Sequence, residues 1–320
     1  MNHKAKHYLV VLVKYALFWA CLYAIYVYIL DFSIDFLFVN SFLKDQSLIE
    51  LSLILFLLLG LSCGNWYFEV LKWNKLVNTV NKIKFQKALK VSLIGHALSI
   101  LTPLKAGDFA TKIYAHKNTQ QIILLNLFHQ YTQLITTIVI GILFLGYFSE
   151  LRWIITQFQI PNYVYYLIIA IAVFCFVMVN WWKRSLVFLI VNWIKINCKT
   201  AVKVQGLSFL KYFSFSLQYL ILLRLFGVEV NSLLLYGAIS ATYLFASLIP
   251  SNFIVDIGIK TTWGVLIFGN LGVESGIIIF VSFTMWMLNF ALPTLLGSFY
   301  IAKSKIDLSN SILQRQWSSL

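Results

Sequence analysis

Long, nearly uncharged apolar runs recur throughout this chain of 320 residues, and they leave lipid as the solvent in which it can fold. Tyr8–Leu30, Leu48–Tyr67, Gln121–Phe148, Tyr163–Trp182, Leu207–Phe226 and Ser275–Ala302 each have about the 20 residues of helix that a hydrocarbon core requires. Charged residues make up 11% of the chain, against about 25% in an average soluble domain. Mean hydropathy is +0.83. In lipid every backbone polar group must be satisfied within the chain, which selects helices for such runs. The expectation is an all-α, polytopic integral membrane protein: one transmembrane domain over residues 1–303 and a polar tail over 304–320. Tyr8–Leu30 is too long and too aromatic for a cleaved signal peptide, and no small-residue cleavage site precedes Asp31. The four cysteines, Cys21, Cys63, Cys175 and Cys198, have no paired metal spacing and read as buried free thiols.

Two further apolar stretches are interrupted. Residues 100–112 read ILTPLKAGDFATK, and residues 247–262 read SLIPSNFIVDIGIKTT. Each places a proline (Pro103, Pro250), a glycine (Gly107, Gly258) and opposite charges between apolar segments. Sidedness follows from the bases. Lys72 to Lys90 fill one inter-span segment, Lys183 to Lys211 lie in or beside another, and both ends of the chain carry lysines. Acids such as Asp31, Glu150, Glu229 and Glu274 gather elsewhere. Lys/Arg-rich loops stay cytoplasmic, which puts both termini inside a cell inner (cytoplasmic) membrane. Asp108–Lys117 is ten residues, about 15 Å of helix and half a bilayer. The segments 88–117 and 232–271 therefore read as re-entrant hairpins dipping from opposite faces, between about six full spans. Eight full spans, or simple kinks in ordinary spans, are the competing readings. Similar order in the two halves suggests an inverted repeat, in which irregular backbone lines a cavity. Lys105 and Asp108 at depth would each cost about 2.5–3.5 kcal/mol beside lipid, so they must face protein or water.

At these two breaks the sequence resembles the lysylphosphatidylglycerol synthase transmembrane (flippase-domain) family, over roughly residues 48–302. The first matching element runs LKWNKLVNTVNKIKFQKALK, VSLIGHALSILTP and LKAGDFATKIYAHK, a basic stretch, a helix and a Pro-x-x-Gly-acid-like turn. The second runs SLIPSNFIVDIGIKTTWGVLIFGNLGV and then WMLNFALPTLLGSFY. Asp108 replaces the family's usual Glu. Lys260 and Thr261 replace an Arg and a Glu, and Trp286 stands where an Arg is common. The resemblance implies a stand-alone flippase-like membrane domain without the soluble aminoacyl-transferase domain.

The expected head-group site comprises Lys105, Asp108 and Lys112 with Asp256 and Lys260. Free N–H groups at the helix start beside Lys105 would help hold a phosphate. Asp108 also suits an N-cap, and Asp256 with Lys260 suits a simple i,i+4 pair. His96, His129, Gln130, Gln133, Asn252 and Thr261 are the expected cavity lining, with interhelical hydrogen bonding as the plainer reading. The segment 72–90 is amphipathic and suits an interfacial helix on an anionic leaflet. Net charge is +14, yet the bases are spread over short loops, so no nucleic-acid partner is expected. No catalytic triad, nucleotide loop or metal spacing appears, so no enzyme, cofactor or metal is expected. The function expected is lipid translocation: an anionic phospholipid or polyprenyl-phosphate head held at midplane. The alternative is a non-catalytic partner of a cell-envelope glycosyltransferase or lipid-modifying enzyme.

Overall fold

The computed structural model describes residues 47–102, 106–116, 119–148, 151, 192–249 and 253–303, with Ala16, Trp19 and Tyr23. Among the described residues the elements are helices: α1 Leu48–Val77, α2 Phe85–Ile100, α3 Ala106–Tyr114, α4 Thr119–Tyr147, α5 Cys198–Leu225, α6 Ser232–Ser247, α7 Phe253–Gly269, α8 Ser275–Trp286 and α9 Leu292–Lys303. A five-residue π turn, Met287–Ala291, joins α8 to α9, so that Ser275–Lys303 runs on as one helix of 29 residues. α1, α4, α5 and this joined helix are long and apolar enough to cross a membrane. The expected spans at 8–30 and 163–182, and the tail at 304–320, lie outside the described residues.

Local chemistry sets the helix ends. Ser47 and Glu50 form a reciprocal capping box at the start of α1, at 3.2 and 3.3 Å. Asn231 caps α6 by accepting from the N–H of Leu233. Gly227, at φ 69°, turns the chain between α5 and α6 in a left-handed conformation open to glycine. Arg224 braces that turn by donating to the carbonyls of Val228 and Val230 and to the Ser232 hydroxyl.

α1 and α5 pack antiparallel. Gln218 donates to the Leu58 carbonyl at 2.8 Å, and Lys211 reaches Glu69 farther along. Around this pair the two halves correspond: α1 to α5, α2 to α6, α3 to α7, and α4 to the joined α8–α9 helix. The α2–α3 and α6–α7 hairpins match, and α2 against α9 matches α6 against α4. The correspondence reaches single positions. Gly141 and Gly297 stand at the same step of their long helices, and they meet Leu244 and Ala97, which share a step of α6 and α2. Each glycine lets a backbone approach closely, as small residues do in membrane packing.

Several expectations are corrected here. Residues 72–90 are not one interfacial helix: α1 continues to Val77 and α2 begins at Phe85. Trp73, Leu76 and Val77 are wholly buried with Ile122, Leu125 and Val204, so packing holds α1 past its last basic residues. α2 ends at Ile100 and α6 at Ser247, each shortly before a proline, and Pro103 and Pro250 themselves lie outside the described residues. Gly107 and Gly258 sit inside α3 and α7 and break neither. Gly107 serves instead for close approach, since a Cβ there would collide with the Leu98 carbonyl of α2. Cys63 and Cys198 are free thiols as read, but both are exposed on helix surfaces.

Gly297→Ala should drive a methyl into the Leu93 carbonyl and lower stability by about 1–3 kcal/mol. Gly206→Ala, with nothing within 4 Å of the new carbon, should lose none. Thermal unfolding of the two variants in detergent compares them directly.

Candidate functional site: a charged cavity between two hairpins

A cavity of about 640 Å³ opens between the long helices and the two hairpins. It gathers four lysines (Lys72, Lys112, Lys211, Lys260) and three carboxylates (Glu69, Asp108, Asp256) among the described residues. The two i,i+4 pairs come from the hairpin helices α3 and α7, at matching places in the two halves. The third pair comes from α1 and α5.

The pairs differ in freedom. Asp108 accepts from Lys112 at 2.8 Å and from the Asn126 amide at 3.2 Å, while Lys112 also donates to Asn126 Oδ1 at 2.8 Å. Lys112 also lies 4.6 Å from the centre of the Trp73 ring, a favourable cation–π placement. With 3% of its side chain exposed, Lys112 is locked into this triangle. Lys260 bonds Asp256 and lies 5.4 Å from the Tyr243 ring centre, and 35% of its side chain remains exposed.

Glu69 meets three nitrogen-bearing side chains. Lys211 donates to it at 2.8 Å, Lys72 approaches the same oxygen to 3.7 Å, and His129 Nε2 lies 3.7 Å away. His129 Nε2 also meets the Glu69 carbonyl at 3.3 Å; a carbonyl only accepts, so that nitrogen carries the proton.

A chain of amides runs beside this cluster. Asn65 donates to Asn289 at 2.7 Å, Asn289 to Gln218 at 2.9 Å, and Gln218 to the Leu58 carbonyl. The Leu292 N–H bonds Met287 across the π turn and Pro293 has no N–H to give, which leaves two carbonyls for other donors: Leu288 accepts from Ser62 at 2.8 Å, and Asn289 accepts from Trp66 at 3.0 Å. Such a turn inside a helix often marks a functional site.

The expected residues can now be placed. Asp108, Lys112, Asp256, Lys260, His96, His129, Gln130 and Gln133 all line the cavity. His96 packs edge-on between Trp66 and Phe290, at 4.8 and 4.7 Å. The Gln133 amide is enclosed with no hydrogen-bond partner among the described residues. Thr261 does not belong to the lining, because one residue past Lys260 turns about 100° around the helix. Lys105 and Asn252 lie outside the described residues. The expected phosphate site on free N–H groups is also corrected. The N–H of Gly107 donates to Thr102 Oγ1 at 2.8 Å and that of Asp108 to Ser99 Oγ at 2.9 Å, so side chains at and just past the end of α2 already occupy them.

Sequence reasoning missed Glu69, Lys72, Lys211 and Asn65. Lys72 and Lys211 had been grouped with loop bases. Asn65, Glu69 and Lys72 recur at i, i+4 and i+7, the spacing of one helix face, and that pattern was the available signal. Comparison with family models, with characterised proteins and with solved structures finds no match to this chain.

Glu69→Ala strands the buried Lys72 and the half-buried Lys211 and should lower stability by about 3 kcal/mol. The double variant Glu69→Leu/Lys211→Met, which removes acid and base together, should recover part of that loss. Chemical unfolding in detergent reads both.

Proposed function

We propose that this is a lipid-handling membrane protein of flippase type, sheltering the anionic head group of a phospholipid or polyprenyl phosphate while the tails stay in the bilayer. One observation carries the reading: charged pairs from both hairpins converge with Glu69, Lys72 and Lys211 on a single cavity among helices with apolar outer surfaces. Ionisable groups within membrane helices are expensive and usually mark a transport path. Lysines outnumber carboxylates there, which favours an anion. Lys260 is the open cation at one hairpin and Lys112 the held one at the other. The sequence resemblance points to the same class of activity.

In this reading the two halves are inverted repeats, and α2–α3 and α6–α7 are re-entrant hairpins entering from opposite faces. None of these four helices exceeds 17 residues, about 26 Å against a core of about 30 Å. Rocking of one half against the other around the cavity would carry the head group across. Both termini are cytoplasmic in this arrangement.

Head-group movement in reconstituted vesicles tests the activity. The double variant Lys105→Ala/Lys260→Ala should slow movement at least tenfold, and an unchanged rate would remove the mechanism. Topology has its own test, using single cysteines in a cysteine-free background. Lys82→Cys and Tyr114→Cys, flanking α2–α3, should label from one face of the membrane. Glu229→Cys and Asn270→Cys, flanking α6–α7, should label from the other. Labelling of Lys82→Cys and Tyr114→Cys from opposite faces would mean that the first hairpin crosses.

A further inference from the structure

In the wall of the cavity Gln133 holds an enclosed amide that bonds nothing. Its oxygen and its nitrogen are both buried, and neither has a hydrogen-bond partner among the described residues. The other half of the molecule shows the same position filled. Gln133 stands eight residues before Gly141 on α4, as Asn289 stands eight before Gly297 on the joined helix. Asn289 is served at both ends of its amide: it accepts from Asn65 at 2.7 Å and donates to Gln218 at 2.9 Å. A buried amide left unpaired costs its full desolvation, so Gln133 is an expensive side chain to keep unless something else completes it. Asn65 Oδ1 and Ser92 Oγ line the same cavity, on residues 6% exposed, and likewise have no partner among the described residues.

We infer that Gln133 reads hydroxyl groups on the ligand, so that the cavity takes a head group bearing a polyol or a sugar beside its phosphate. This rests on the lipid-handling reading and sharpens it by naming the chemistry next to the phosphate. The unmet groups are of both kinds. Gln133 Oε1 and Asn65 Oδ1 only accept, and Gln133 Nε2 only donates. Phosphate oxygens of a diester only accept, so a bare phosphodiester leaves both amide oxygens unserved. An ammonium only donates and leaves Gln133 Nε2 unserved. A hydroxyl donates and accepts at one atom, and neighbouring hydroxyls serve the two ends of one amide together. The residue as a whole is half-buried, so a rotation about its own side-chain bonds suffices to meet a head group. In this scheme Gln133 determines specificity, while the lysines receive the phosphate.

The test uses the purified full chain in nanodiscs, with lipid retention read by native mass spectrometry. The probes share their acyl chains. Phosphatidylglycerol carries two hydroxyls, phosphatidylpropanol has the same charge and carbon count with none, phosphatidylethanolamine carries an ammonium, and phosphatidylcholine is the reference. The wild-type protein should retain phosphatidylglycerol about tenfold over phosphatidylpropanol, the scale of one or two net hydrogen bonds. Gln133→Leu should bring phosphatidylglycerol down to the level of phosphatidylpropanol and leave phosphatidylpropanol itself unchanged. Gln133→Leu should also unfold no earlier than wild type in detergent, whereas Asn289→Leu, which breaks bonds already made, should unfold earlier. Equal wild-type retention of phosphatidylglycerol and phosphatidylpropanol overturns the inference alone, and so does retention of phosphatidylethanolamine equal to phosphatidylglycerol. A loss of folding or thermal stability in Gln133→Leu also overturns it, because that loss reports an amide bonded within the protein. If neither anionic lipid is retained over phosphatidylcholine, the lipid-head-group reading itself falls.

Discussion

Glu69 and Lys211 join at 2.8 Å across the antiparallel pair of α1 and α5, and the rest of the architecture is arranged around that contact. An isolated charge in an apolar bundle is far more expensive than one in water. A pairing between two long helices therefore fixes their register as well as joining them. Lys72 and His129 crowd the same carboxylate, tying α4 to the junction. The amide chain from Asn65 through Asn289 and Gln218 to Leu58 ties in the π turn. Apolar packing alone would tolerate many slides of one helix along another; these directional contacts tolerate very few.

The hairpins obey the same demand for closed polar groups. A chain that stops being helical in an apolar setting exposes N–H and C=O groups that lipid cannot satisfy. The end of α2 answers this with Ser99 and, just past it, Thr102, whose hydroxyls accept the N–H groups of Asp108 and Gly107 in the first turn of α3. Gly107 makes that approach possible by having no side chain to collide with Leu98. The closure carries Asp108 and Lys112 to the cavity on a rigid, short helix. On the other side of the correspondence, α7 carries Asp256 and Lys260 with more exposure. Two halves built alike thus present unequal charged pairs to one space. In the proposed translocation cycle that inequality separates a held lysine from an available one.

Much of the fold was legible in the sequence because its rules are local. Apolar runs of sufficient length became helices at 48–77, 119–147, 198–225 and 275–303, and α2 and α6 end shortly before the prolines at 103 and 250. The i,i+4 spacing of Asp108 with Lys112, and of Asp256 with Lys260, is also local, and both pairs formed. The basic stretch 72–90 misled for an equally physical reason. Amphipathic pattern is the same whether a helix lies on a lipid surface or buries its apolar side against α4 and α5, and only the neighbours decide.

What the sequence by itself determined is the solvent, the helical class, the interruptions and two of the three ion pairs, since length, hydropathy and short spacings encode each of them. What only the tertiary structure decided is which distant groups share one space. Glu69 and Lys211 are 142 residues apart, and nothing in either neighbourhood names the other. Their meeting depends on the antiparallel register of α1 and α5, set by packing over the whole length of both helices, and so does the unequal sharing of Glu69 between Lys211 and Lys72.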